Sequence, residues 1–298
     1  MKRTLTSICI SITTVFSSVP LPVFSQTETP APMPEQQAPM PEQQAPMPEQ
    51  PAPTAAPETS PAQGQDIQYW LNRGQYFTDQ KQYEDALIAY DQAINLKQDL
   101  AEALAGKGVV LGALGRHEDA LSVLQKASEL KQNYSAALFH QGMVLRALSR
   151  NEEANQAFDK AIEMNGDWGT QSQAVAWSYK GSNLWQLGRK EEAIAAFDKA
   201  VSINADYALA WYNRGTALLQ LGQYQNAIDS YDKALQSKGM WGAETGPASA
   251  WYNRGLALEQ LGRFDEAIES YDRALRITPN HLKARQQLAN LRRRIEQR

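Results

Sequence analysis

The sequence predicts an all-α solenoid of stacked helix-turn-helix repeats, and three periodic features predict it. Gly74, Gly108, Gly142, Gly181, Gly215 and Gly255 follow one another at intervals of 34, 34, 39, 34 and 40 residues. Alanine stands twelve residues after each of them, from Ala86 to Ala267, and again seven residues further on, from Ala93 to Ala274. Between the two alanines lies one large residue per period: Tyr90, Leu124, Phe158, Phe197, Tyr231 and Tyr271. Small residues in phase let two antiparallel helices approach closely, and the large residue fills the space beside them. A period of this length marks an array in which each unit needs its neighbours to bury its apolar face.

At the N-terminus, Lys2 and Arg3 precede an apolar stretch from Leu5 to Phe24 that ends in Val23-Phe24-Ser25. This is the pattern of a bacterial secretory signal peptide over residues 1–25, cleaved after Ser25. The competing reading is an uncleaved membrane anchor; Pro20, Pro22 and the scattered Ser and Thr are poor content for a spanning helix. Cys9, the one cysteine, lies inside the stretch, so the cleaved chain has neither thiol chemistry nor a disulfide. Residues 26–65 repeat Ala-Pro-Met-Pro-Glu-Gln from Ala31, Ala38 and Ala45. Proline at every second or third position leaves this linker no core to bury, so it is expected to be disordered and dispensable for folding. As an extended polyproline-like spacer it reaches up to about 120 Å at ~3.1 Å per residue. The sharper reading makes it a ligand for a proline-recognising partner or the cell wall.

The phased residues, with Trp70, Leu104, Leu138, Trp177, Trp211 and Trp251 four positions before each glycine, resemble the tetratricopeptide repeat. The resemblance covers residues 67–100, 101–134, 135–173, 174–207, 208–247 and 248–281 as six repeats, and it implies a right-handed superhelix. Residues 282–298 place Leu282, Leu288, Leu291 and Ile295 on one side and suit a capping helix, which makes 66–298 one repeat domain. Long repeats alternate with short ones from Gly108 onward, as if a two-repeat unit had been duplicated. Both inserts carry Trp-Gly, at Trp168 and Trp241, and are expected to project between repeats. Each ring either folds back over a helix pair or stacks on a sugar or aromatic group.

Charge and chemistry narrow the function. With 29 Lys+Arg against 33 Asp+Glu the chain lacks the basic footprint of a nucleic-acid binder. His117, His140 and His281 fall in three different repeats without a paired His or Cys, so no metal site is expected. Gly106, Gly108 and Gly112 echo a phosphate loop but lie inside a predicted helix with no preceding strand. No cofactor is implied, catalysis has no visible owner, and the chain reads as a non-enzyme. Arg73, Lys107, Lys180, Arg214 and Arg254 share one repeat position, and Asp91, Asp198, Asp232 and Asp272 stand eighteen residues after a counterpart of it. This predicts ion pairs within repeats. The final helix is basic, from Lys283 to Arg298, and suits a solvated cap or an anionic surface.

In the family it resembles, the first helix of each repeat lines a concave groove. Carried over position by position, the lining includes Asn72, Phe139, Tyr179, Tyr212, Asn213, Tyr252 and Asn253, with Arg146 and Trp185 at a further lining position. The Lys and Asn pattern used for acidic chaperone tails is absent. Asparagines at the sixth position of the repeat hold the backbone of extended peptides in other members, and Asn72, Asn213 and Asn253 match that usage. The resemblance therefore implies a scaffold that binds a peptide or protein partner, and the signal-peptide pattern makes it exported, periplasmic or extracellular, without a membrane span after cleavage. Repeats five and six, with Tyr212 and Tyr252, would be the anchor, extended by Tyr179 and Trp185. The alternative is a glycan- or cell-wall-binding module using Trp168 and Trp241.

Overall fold

The computed structural model describes residues 66–169, 172–239, 241 and 246–297. The signal-peptide and linker expectations for residues 1–65 lie outside these. The described chain is all helical: six antiparallel pairs, then one closing helix. The pairs are α1 (Ile67–Asp79) with α2 (Tyr83–Leu96), α3 (Ala101–Ala113) with α4 (His117–Leu130), and α5 (Ser135–Ala147) with α6 (Asn151–Met164). They continue with α7 (Gln173–Gln186) and α8 (Lys190–Ile203), α9 (Ala208–Gln220) and α10 (Tyr224–Gln236), α11 (Pro247–Gln260) and α12 (Phe264–Ile277), and close with α13 (Leu282–Glu296).

Each pair is held by a close approach that only glycine permits. A Cβ added at Gly142 would lie 2.5 Å from Cε1 of Phe158, and one at Gly255 would lie 2.5 Å from Cε1 of Tyr271. Tyr90, Phe158, Tyr231 and Tyr271, whose rings face these glycines, are fully buried, as are the phased alanines around them. Ring and glycine thus interlock, and no larger residue fits at the first-helix position without displacing the second helix. In repeat two Leu124 takes the place of the ring, and Tyr90 of repeat one also presses on Gly106. The closely spaced glycines of α3 are therefore a packing surface.

The turn inside each repeat is equally regular. The residue after each first-helix C-cap adopts the left-handed conformation: Lys81, Gly115, Ser149, Gly188, Gly222 and Gly262. Its neighbours close the helix end, as Arg116 N–H donates to the Leu111 carbonyl at 2.9 Å and Gln223 N–H to that of Leu218 at 2.9 Å. All the second helices but α10 then start with acidic residues that favour a helix N-terminus, and Arg150, Arg189 and Arg263 each reach a glutamate three residues on.

The cation at the seventh position pairs across the repeat boundary, and this corrects the expectation of pairs within repeats. Lys107 meets Asp91 at 2.6 Å, Arg214 meets Asp198 at 2.5 Å and Arg254 meets Asp232 at 2.7 Å. Lys180 reaches Asp159, and Arg292 of α13 reaches Asp272 at 3.2 Å. In each case the carboxylate belongs to the second helix of the preceding repeat. Arg73 has no preceding repeat, and instead donates to the Tyr69 hydroxyl at 2.8 Å and stacks on Phe77. The junction between repeats two and three replaces both partners at once: Gln141 donates to the Leu124 carbonyl and the Ser128 hydroxyl, and Gln125 stands where the aspartate would be. Partly exposed pairs of this kind contribute ~0 to 1 kcal/mol each, and their larger effect is to fix register between repeats.

Lys81 (φ 59°) and Ser149 (φ 60°) occupy the left-handed position that glycine fills in the other four repeats. Lys81→Gly and Ser149→Gly are each expected to raise stability by roughly 1 kcal/mol, since an L side chain there costs about that much. Thermal denaturation of the two variants beside the parent checks this, and an unchanged or lowered midpoint would contradict it.

Candidate peptide-binding groove

First helices form the inner row of the solenoid. α1 touches α3, α3 touches α5, α7 touches α9 and α9 touches α11 directly, whereas each second helix packs mainly on the first helices either side of it. The tighter row is the concave one, so side chains that leave α5, α7, α9 and α11 on the inner side line the groove. The sequence-derived candidates on that row divide into buried and accessible groups.

Phe139, Trp185 and Tyr212 lie in the core, at 2%, 8% and 7% exposure. The reason recurs in three repeats: the fifth-position aromatic packs on the second-helix ring of its own repeat. Phe139 meets Phe158 at 5.8 Å between centroids, Tyr212 meets Tyr231 at 5.9 Å and Tyr252 meets Tyr271 at 5.9 Å. Tyr252 remains half-buried, with His281 at 5.0 Å on its other side. Trp185 joins Leu184 and Phe197 in the core of repeat four, with the Lys190 ammonium 5.7 Å from its ring. Tyr179 is half-buried and bridges repeats three and four, against Phe139 at 5.7 Å and the Arg146 guanidinium at 5.2 Å.

The amides behave differently. Asn253 Nδ2 donates to the Tyr212 hydroxyl at 3.2 Å, which ties repeat six to repeat five. Asn213 is half-buried, and its Nδ2 is enclosed without a hydrogen-bond partner. Asn72 is exposed in repeat one, where its Oδ1 accepts from Gln68 Nε2 at 2.9 Å. Asn213 and Asn253 are therefore brought together with Tyr212 and Tyr252, and Asn72 stands apart from them at the far end of the row.

Of the two readings open for the Trp-Gly inserts, both tryptophans take the one in which the ring folds back over its own helices. In the first, Asp167 N–H donates to the Asn133 carbonyl at 2.7 Å, Ala136 N–H to the Asp167 carbonyl at 2.9 Å, and Gly166 N–H to the Ser135 hydroxyl at 2.9 Å. A side chain at Gly166 would collide with the Asn133 carbonyl, and one at Gly239 with that of Asp206. Trp168 packs half-buried on the core of repeats two and three, its indole N–H donating to Asn165 Oδ1 at 3.2 Å. Trp241 lies edge-on to Tyr212 at 6.3 Å and covers it from the second insert.

A charged staple outside the sequence-derived set pins the first insert. Lys131 Nζ meets Glu102 at 2.8 Å and Asp167 at 2.7 Å, and stands 4.5 Å from the centre of the Tyr134 ring. Burial pushes both carboxyls up, but the hydrogen bonds and charge of Lys131 outweigh it and hold them below their ordinary range. Glu102 and Lys131 lie at opposite ends of repeat two and Asp167 in the insert of repeat three, and no helical spacing joins them, so nothing in the sequence links them. Deeper in the row, burial pushes the His140 imidazole down to about 4. Asn183 donates to the Asn151 carbonyl at 2.6 Å and to Asn155 Oδ1 at 3.0 Å, a buried amide contact between α6 and α7.

A curved stack of helix pairs with an amide-bearing inner row defines a repeat solenoid of the protein-interaction class. Profiles of the tetratricopeptide repeat match residues 74–115, then 106–167, 139–208 and 180–239 in overlapping windows, and 248–281, and the chain belongs to the tetratricopeptide repeat family. Members of this family are generally non-catalytic scaffolds that bind protein or peptide partners. Among solved structures, PilF of Pseudomonas aeruginosa is similar with a TM-score of 0.64 at 18% identity, over 77% of this chain and 99% of that one. PilW, a type IV pilus biogenesis factor, gives 0.62 at 16% identity, over 74% and 98%. YrrB, described as a repeat protein with an unusual peptide-binding site, gives 0.52 at 23% identity, over 66% and 95%. Likeness at these identities shows the fold alone. Among curated proteins none matches the chain significantly. No helix of the described residues is long and apolar enough to cross a membrane.

The stability that Glu102 and Asp167 contribute through Lys131 is present above the ordinary carboxylate range and is lost as pH falls through their lowered values. Lys131→Met is expected to cost about 1 kcal/mol near neutral pH and to flatten the acid side of the stability profile. Thermal midpoints of parent and variant, measured from neutral pH down through the carboxylate range, check both. Parallel profiles would show that the staple contributes nothing.

Proposed function

We propose that the chain is a non-catalytic scaffold that holds an extended peptide along the inner row at repeats five and six. The observation that carries this reading is the Nδ2 of Asn213, an enclosed donor without a partner, one repeat from the amide of Asn253. An enclosed donor left unmade costs roughly 1 to 3 kcal/mol, and a turn of this half-buried amide would bring it onto a peptide carbonyl laid along the row. An asparagine amide offers donor and acceptor together, which complements a peptide unit whatever its side chain. The half-buried ring of Tyr252 supplies apolar contact beside the amides. Tyr212 contributes from below, by orienting Asn253. The glycan reading loses support from Trp168 and Trp241, since each ring is half-covered by its own solenoid.

Export is part of the proposal. Lys2, Arg3, the apolar run and Ser25 support a cleaved leader, placing the repeats in the periplasm or outside the cell. The N-terminal sequence of the mature protein is expected to start at Gln26, and an intact Met1 in the membrane fraction would favour an anchor instead.

The groove is tested with a peptide selected on the purified protein from a random-sequence display library. Asn213→Ala with Asn253→Ala is expected to weaken its binding at least tenfold, while lowering the melting midpoint only slightly through the lost Asn253 to Tyr212 bond. Undiminished affinity in the double variant would remove repeats five and six as the site.

A further inference from the structure

Arg146, near the C-terminus of α5, is a buried cation without a counter-ion. Its exposure is 8%, its Nη1 is enclosed with no hydrogen-bond partner, and its contact is with the face of Tyr179 at 5.2 Å. Arg150, Arg189, Arg214, Arg254 and Arg263, all more exposed, each hold a carboxylate. No acidic group among the described residues acts on Arg146, and burial alone pulls its ionisation down. A guanidinium removed from water is costly unless an anion completes it, and its planar fork fits a carboxylate in two-point contact. Only Nη1 is fully enclosed, so the fork keeps an open edge by which a carboxylate can approach.

We propose that Arg146 is the receptor for a glutamate carboxylate of this chain's own Pro-rich segment, residues 26–65. That segment carries Glu28, Glu35, Glu42, Glu49 and Glu58 and has no Lys or Arg, so its charge complements an unpaired cation. It enters the N-terminus of α1, two first helices away from α5, roughly 20 Å across at the usual helix spacing, and Arg146 lies near the other end of the parallel α5, roughly 17 Å further along the axis. Glu49 stands seventeen residues before Asp66 and reaches about 50 Å in extended form, so the repeated Pro-Glu-Gln copies span the distance with length to spare. Tethering gives the glutamates an effective concentration on the order of millimolar, which a free acidic peptide seldom matches. The linker then acts as an internal ligand of repeats three and four in place of a passive spacer. Arg146 belongs to repeat three and the amide pair to repeats five and six, so this inference and the peptide-binding reading stand or fall separately.

The test uses the full-length chain and compares it with E28Q/E35Q/E42Q/E49Q/E58Q, with Arg146→Met, and with the two combined. The five Glu→Gln changes are expected to lower the thermal midpoint of the parent by about 3 °C and to leave that of Arg146→Met unchanged. Hydrogen exchange in α5 and α7 should rise at least fivefold in the Glu→Gln variant of the parent. If Arg146→Met fails to fold, Arg146→Lys replaces it, and the tail changes should then have less than half their effect. Equal effects of the tail changes with and without Arg146, or no effect on the parent, would overturn the proposal.

Discussion

Everything in this solenoid depends on one contact, the glycine of a first helix pressed against the large side chain of its own second helix. At Gly74, Gly142, Gly181, Gly215 and Gly255 the opposing group is an aromatic ring, close enough that even a methyl group would intrude. The contact sets how near the two helices lie and where the phased alanines meet. It also sets where the fifth-position side chain can go. Because the ring already fills the interior, a fifth-position aromatic stacks on it, as Phe139, Tyr212 and Tyr252 do. The groove surface is consequently made by what is left over, chiefly sixth-position amides and the edges of Tyr179 and Tyr252.

Contacts between repeats are of a different kind. Lys107, Lys180, Arg214 and Arg254 each reach back to an aspartate on the preceding second helix, and α13 continues the pattern through Arg292. At the one junction where Gln125 replaces the acid, Gln141 replaces the base, so no unpaired charge is left against the helix interface. Arg146 breaks that economy. Where Lys107, Lys180, Arg214 and Arg254 each hold a carboxylate, a buried guanidinium with only a tyrosine face beside it points to an anion from elsewhere.

The two inserts show how a repeat array accommodates extra residues without losing register. Gly166 and Gly239 let the chain pass directly over the carbonyl of a preceding turn, and the tryptophan two residues later covers the helix ends beneath. Lys131 locks the first of these loops by joining Glu102 of repeat two to Asp167 of repeat three. A residue that looks like an exposed aromatic in the sequence becomes, in the folded chain, a lid on its own core.

Phase alone determined the helix pairs, the family and the glycine-ring contacts, because these lie within one repeat and their spacing is fixed by helix geometry. The sequence also placed Asn213 and Asn253 on the inner row. Which lining residues stay accessible was decided by tertiary packing: Phe139, Trp185 and Tyr212 occupy lining positions, yet neighbours from the second helices and the inserts bury them. The ion pairs show the limit most clearly. Asp91 lies eighteen residues after Arg73 and sixteen before Lys107, and the two separations add up to one 34-residue period. In a periodic sequence every candidate partner recurs once per repeat, so spacing cannot separate a bond within a repeat from one between repeats. Only the stacking of helices in space, which brings the second helix of one repeat against the first helix of the next, makes that choice.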